Sequence, residues 1–163
     1  MSQLYERTSR STRPMPDEAL LDEPRATDSG TGTLLRVLGG LAVLVVGAVH
    51  LEQYFAVHFD VVPVIGPLFA LNFAGAVVIG LGLLLPFGRL HVLRVLLALG
   101  GAGLAATSFV FLFLSEHRTL FGFQDYGYRP AILVALVAEV AAVLSLGGYL
   151  AVRARRDRGV LRE

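Results

Sequence analysis

Long apolar stretches alternate with short polar ones along this chain. Four stretches, 34–57, 66–85, 90–114 and 131–152, each hold the roughly 20 apolar residues needed to cross a hydrocarbon core about 30 Å thick. Each is apolar around most of its circumference, as a helix surrounded by lipid must be. The pattern predicts an all-α protein, an antiparallel bundle of four transmembrane helices over 34–152. Phe87, Gly88 and Arg89 join the second and third spans, a link so short that the two must form a hairpin. Pro130 suits the first turn of the fourth helix, where a missing N–H costs nothing. Residues 1–33 read as a disordered tail: the stretch from Ser9 to Arg25 holds three prolines and mixed charges, too little apolar surface to offset ordering entropy. Ser29-Gly30-Thr31-Gly32 reads as a flexible joint and 153–163 as a basic tail. A cleaved signal peptide is not expected, because the polar region before the first apolar run is too long.

Charge turns this pattern into an orientation. Only 17% of residues are charged, against about 25% in soluble domains, and the mean hydropathy is +0.66. All 14 basic residues are Arg. Arg25, Arg36, Arg89, Arg94 and the arginines from Arg153 to Arg162 fall on one side of the four spans, and only Arg118 and Arg129 on the other. The excess of cationic residues on cytoplasmic loops predicts both termini in the cytoplasm and the first and third loops outside, in a multi-pass protein of the plasma membrane. The chain has no Cys, which excludes disulfides, thiolate metal sites and thiol redox chemistry.

Ionisable and polar groups inside a membrane are costly, so each is a functional candidate. Glu139 sits near the middle of the fourth span among Ala135, Ala138 and Ala142, small neighbours that suit a close helix contact. His50 lies near the outer end of the first span, one turn from Gly47 and Tyr54. Gly40, Gly47 and Tyr54 recur every seven residues, a stripe suited to a partner helix. Asn72 lies about two turns into the second span. On the third, Gly101, Ser108 and Ser115 form a heptad stripe of small and polar residues. At 1.5 Å per residue, His50 and Asn72 fall roughly 10 Å below the outer boundary, with Ser108 and Glu139 slightly deeper. His50, Asn72, Ser108 and Glu139 are therefore expected to form one polar layer in the outer half of the bundle. Read plainly, the same groups are interhelical packing contacts, and Glu52 is a solvated interfacial charge.

The third loop carries Glu116, His117, Phe121, Phe123 and Tyr126, with Tyr128. It reads as an aromatic belt at the outer interface, or as a lid over the polar layer or a docking surface. No bound metal is expected: one deep His is poor support for haem, and the Glu-x-x-His repeats of di-iron bundles are missing. Gly100-Gly101-Ala102-Gly103 lies in a span and serves packing, so no nucleotide or nucleic acid partner is expected. The C-terminal arginines fix topology and can attract anionic lipid headgroups.

His50-Leu51-Glu52-Gln53-Tyr54, the run Val62-Pro63-Val64-Ile65-Gly66-Pro67-Leu68-Phe69-Ala70-Leu71-Asn72, and Leu120-Phe121-Gly122-Phe123 together resemble a family of small four-helix membrane proteins found widely in actinobacteria. The resemblance covers residues 35–150. It implies the fold and the membrane location, groups His50, Asn72 and the Leu120–Phe123 turn into one pattern, and carries no activity. Three functions remain open on sequence. The first is a non-enzymatic accessory or scaffold subunit in contact with a membrane-protein partner or with copies of itself. The second is a cofactor- or ligand-binding bundle that uses the polar layer for haem, quinone or a proton relay. The third is a small transporter acting as an oligomer.

Overall fold

The structure, a computed structural model, describes residues 28–56, 58–85, 90–119 and 129–160. Among them are four long helices and no strand: α1 (Gly30–Ala56), α2 (Ile65–Leu84), α3 (His91–His117) and α4 (Pro130–Val160). All four are long and apolar enough to span a membrane, which makes this a multi-pass membrane protein by length and composition. At 1.5 Å per residue α2 is about 30 Å long and α4 about 46 Å, so α4 outreaches the hydrocarbon.

Helix ends depart from the apolar boundaries, each for a local reason. α1 begins at Gly30, so Gly30, Thr31 and Gly32 are helical and not a joint. Ser29 caps them: its Oγ accepts the Gly32 N–H at 3.1 Å and its carbonyl accepts the Thr33 N–H at 2.8 Å, filling donors that a helix start leaves open. α3 runs one turn past residue 114, so Glu116 and His117 belong to its last turn and not to a loop. There Ser115 Oγ donates to the Leu112 carbonyl at 2.8 Å, and the Arg118 N–H closes the end on Leu114 O at 2.8 Å. α4 continues through the arginines to Val160, so the expected basic tail is helical over that length. Arg is a good helix former, and cations are favoured near a helix C-terminus. The tail reading of residues 1–27 lies outside the described residues.

The helices form a ring in chain order. α1 packs closely on α2 and α4, α4 on α3, and α2 meets α3 more sparsely. Small residues allow the tight pairs. A Cβ on Gly47 would lie 2.6 Å from Ala76 Cβ, so the α1–α2 approach requires glycine there. Val43, Ala76, Leu83, Ala98, Ala105, Ala142 and Leu146 form the buried core. Large apolar side chains such as Leu71, Val78, Leu96, Val137 and Leu144 point outward and are more than half exposed, the distribution expected where lipid is the solvent.

Candidate functional site

The link between α1 and α2 is folded tightly. A 3-10 turn, Phe59–Val61, is followed by Val64 at φ 68° and ψ −49°, and the Ile65 N–H donates to Pro63 O at 2.8 Å. This is the γ-turn geometry that a β-branched residue adopts only under strain. Gly66 follows, and a Cβ there would sit 2.7 Å from Phe59 O. The turn buries Phe59 against Phe69, with ring centroids 5.0 Å apart, and Phe69 in turn lies 4.9 Å from the His50 ring.

Behind these rings is a cavity of about 590 Å³. His50, Asn72, Ser108 and Glu139, nominated from four different spans, all line it. Asn72 Nδ2 donates to Ser108 Oγ at 2.5 Å, and Ser108 Oγ lies 3.4 Å from His50 Nε2. His50 Nδ1 is 2.8 Å from the Val46 carbonyl. A carbonyl only accepts, so Nδ1 carries the proton and Nε2 of the neutral ring is the acceptor. The hydrogen bonds therefore run in one direction, from the Asn72 amide through the Ser108 hydroxyl to His50 and into the α1 backbone. Glu139, 1% exposed, lines the same cavity without joining this chain.

Several polar oxygens on residues of the cavity wall are unmet among the described residues. Asn72 Oδ1, Gln53 Oε1 and Glu139 Oε2 are buried and have no hydrogen-bond partner among the described residues. Leaving such a group unpaired costs about 1–3 kcal/mol; each is closed off from the free space of the cavity, so a donating ligand would meet it after a side-chain rotation. The rest of the wall is apolar. Leu68 and Leu71 of α2 and Gly103, Thr107 and Phe111 of α3 line it and are also exposed on the outer surface. The cavity thus opens sideways, through the sparse α2–α3 contact, toward lipid.

Of the predicted outer-loop residues, Phe121, Phe123 and Tyr126 lie outside the described residues. His117 turns back onto its own helix, Nδ1 2.8 Å from Phe113 O. Ser115 likewise bonds within α3 and not across to the layer. Sequence reasoning missed Gln53, 5% exposed, which lines the cavity and donates from Nε2 to Glu52. Its position one turn after His50, on the same face, was the available signal. It also missed a cluster at the opposite end of the bundle, where Asp28 meets Arg36, Arg94 and Arg153. Arg36 and Arg94 lie inside predicted spans, and that depth was the sign that they do more than set orientation.

Both ring nitrogens of His50 are engaged, so a metal or haem iron would have to displace Ser108 or Val46 O. Among the described residues no three His, Cys, Asp or Glu side chains converge in metal-binding geometry. No protein-family model, curated protein or solved structure matches this chain.

Proposed function

We propose that this protein is a ligand-binding bundle of the plasma membrane, holding a lipophilic molecule whose polar end donates hydrogen bonds. A hydroxylated lipophile of the quinol type meets that description. The observation that carries the reading is the directed Asn72–Ser108–His50 chain beside unmet acceptors in an apolar cavity. Ligand pockets combine apolar walls with a few convergent polar groups in this way, at volumes of about 300–1,000 Å³. The side opening lets such a molecule arrive from the bilayer without crossing water. The role is binding, without catalysis.

The arginine distribution supports an orientation with both termini cytoplasmic, which sets the cavity in the extracytoplasmic half of the bilayer. The test is purification of the full chain in mild detergent, followed by absorption spectroscopy and mass spectrometry of the extracted lipids. The expected result is a hydroxyl-bearing lipophile enriched over bulk membrane lipid and lost from Asn72→Leu. A preparation carrying bulk lipid alone, identical for the two proteins, would overturn the reading.

A further inference from the structure

At the end of the bundle away from the cavity, Arg36 of α1, Arg94 of α3 and Arg153 of α4 converge on one carboxylate. Asp28 Oδ2 lies 3.4 Å from Arg36 Nε and 3.3 Å from Arg94 Nη1. Asp28 Oδ1 lies 3.9 Å from Arg153 Nη1 and accepts from the Tyr149 hydroxyl at 3.3 Å. The side chains of Asp28, Arg36 and Arg94 are about nine-tenths buried, with relative exposures of 9%, 8% and 10%.

Two features of this cluster leave it incomplete. Among the described residues, three guanidinium groups against one carboxylate leave a formal surplus of two positive charges in a largely buried place, where an uncompensated charge is expensive. The contacts are also long. A good charge-assisted N–H···O bond is about 2.7–2.9 Å, and all four contacts to Asp28 exceed that. One carboxylate, with two oxygens, is too small to satisfy three converging guanidinium groups and a phenol at once. Arg94 Nε is buried without a hydrogen-bond partner among the described residues. A larger tetrahedral oxyanion would reach all three arginines, and guanidinium groups match phosphate oxygens in bidentate geometry.

We propose that this pocket binds a phosphate group, carried by an anionic lipid headgroup or free in solution, and that Asp28 is its internal stand-in. The cluster lies near the helix ends, with Arg94 in the first turn of α3 and Arg153 in the last third of α4. Asp28 precedes the first residue of α1, so it can withdraw without breaking a helix. This site is separate from the cavity and does not depend on the ligand proposed there.

The experiment uses the purified full chain and three probes: phosphatidylglycerol, phosphatidylcholine and inorganic phosphate. Retention is read by native mass spectrometry and binding by the shift in melting temperature. Phosphatidylglycerol is expected to be retained over phosphatidylcholine. Each of Arg94→Gln and Arg153→Gln should weaken that retention about fivefold, the effect of losing one cationic contact at a membrane surface. Asp28→Asn, which removes the competing carboxylate, should strengthen it. Binding of the anionic lipid without inorganic phosphate assigns the source to a headgroup; binding of inorganic phosphate with the same arginine dependence assigns it to the free ion. Equal retention of the two lipids with no response to inorganic phosphate would overturn the proposal, as would Arg94→Gln and Arg153→Gln proteins that bind like the wild type. Weaker binding in a folded Asp28→Asn protein would overturn the stand-in role. Should Asp28→Asn fail to fold, the two arginine variants decide alone; Arg153, 17% exposed, tolerates replacement best.

Discussion

The two ends of this bundle handle polar groups in opposite ways. At the arginine end the groups are charged, and they are drawn together: Asp28 gathers three arginines, and Arg36 Nη1 also donates to the Leu83 carbonyl at the end of α2. At the cavity end the groups are mostly neutral amides, a hydroxyl and an imidazole; they bond to one another across α1, α2 and α3 and line open space. The contrast follows from energy. An unpaired buried charge costs far more than an unpaired amide oxygen, so charges pull helices shut while amides tolerate a gap. The arginine end therefore tethers α1, α2, α3 and α4 around an anionic group, whereas the cavity end has room for a larger, apolar molecule.

Variants at the two ends should separate stability from binding. The largest effect is expected at Arg36, 7% exposed. Arg36→Leu removes one of three cations around Asp28 and leaves the buried Leu83 carbonyl without its donor, with an expected loss of about 3 kcal/mol, read as a lower midpoint in a denaturing-detergent titration. Next is Gly47→Val, which forces α1 from Ala76 and should cost about 1–3 kcal/mol in the same titration. Ser108→Ala cuts the directed chain in the middle. An interhelical hydrogen bond in a membrane protein is worth about 0.6 kcal/mol on average, so its midpoint should barely move while ligand retention falls. Equal losses of stability from Arg36→Leu and Ser108→Ala would erase the contrast. The smallest effect on stability belongs to Gly103→Leu. Nothing lies within 4 Å of the new Cβ, and replacing a helical glycine contributes up to about 1 kcal/mol. The folded protein should be as stable as the wild type, or slightly more.

The spans were legible in the sequence because hydropathy is a local property and each run is uninterrupted. Helix ends were not, because they depend on caps and backbone partners: the Ser29 hydroxyl starts α1 before the apolar run begins, and polar Ser115 through His117 continue α3 beyond its run. The levels of His50, Asn72, Ser108 and Glu139 could be counted along each helix. Which of them bond to one another could not, since that depends on the rotation of each helix about its axis. Ser115 shares a heptad stripe with Ser108 yet bonds its own backbone, and Glu139 reaches the cavity without reaching the chain. Asp28 escaped notice because it precedes the apolar run, in a segment whose composition reads as tail.

The account rests on the cavity being a binding site that opens to lipid between α2 and α3. The most direct measurement compares the lipids extracted from wild type and Gly103→Leu, purified side by side from the same membranes, after both are shown to have equal unfolding midpoints. The added side chain sits at a residue that lines the cavity and is exposed on the α2–α3 side, and it leaves every polar group in place. The account predicts one lipophile enriched in the wild type and reduced at least about tenfold in Gly103→Leu, the loss expected when a site gives up about 1.4 kcal/mol of affinity. Identical lipid profiles from two equally stable proteins would contradict it.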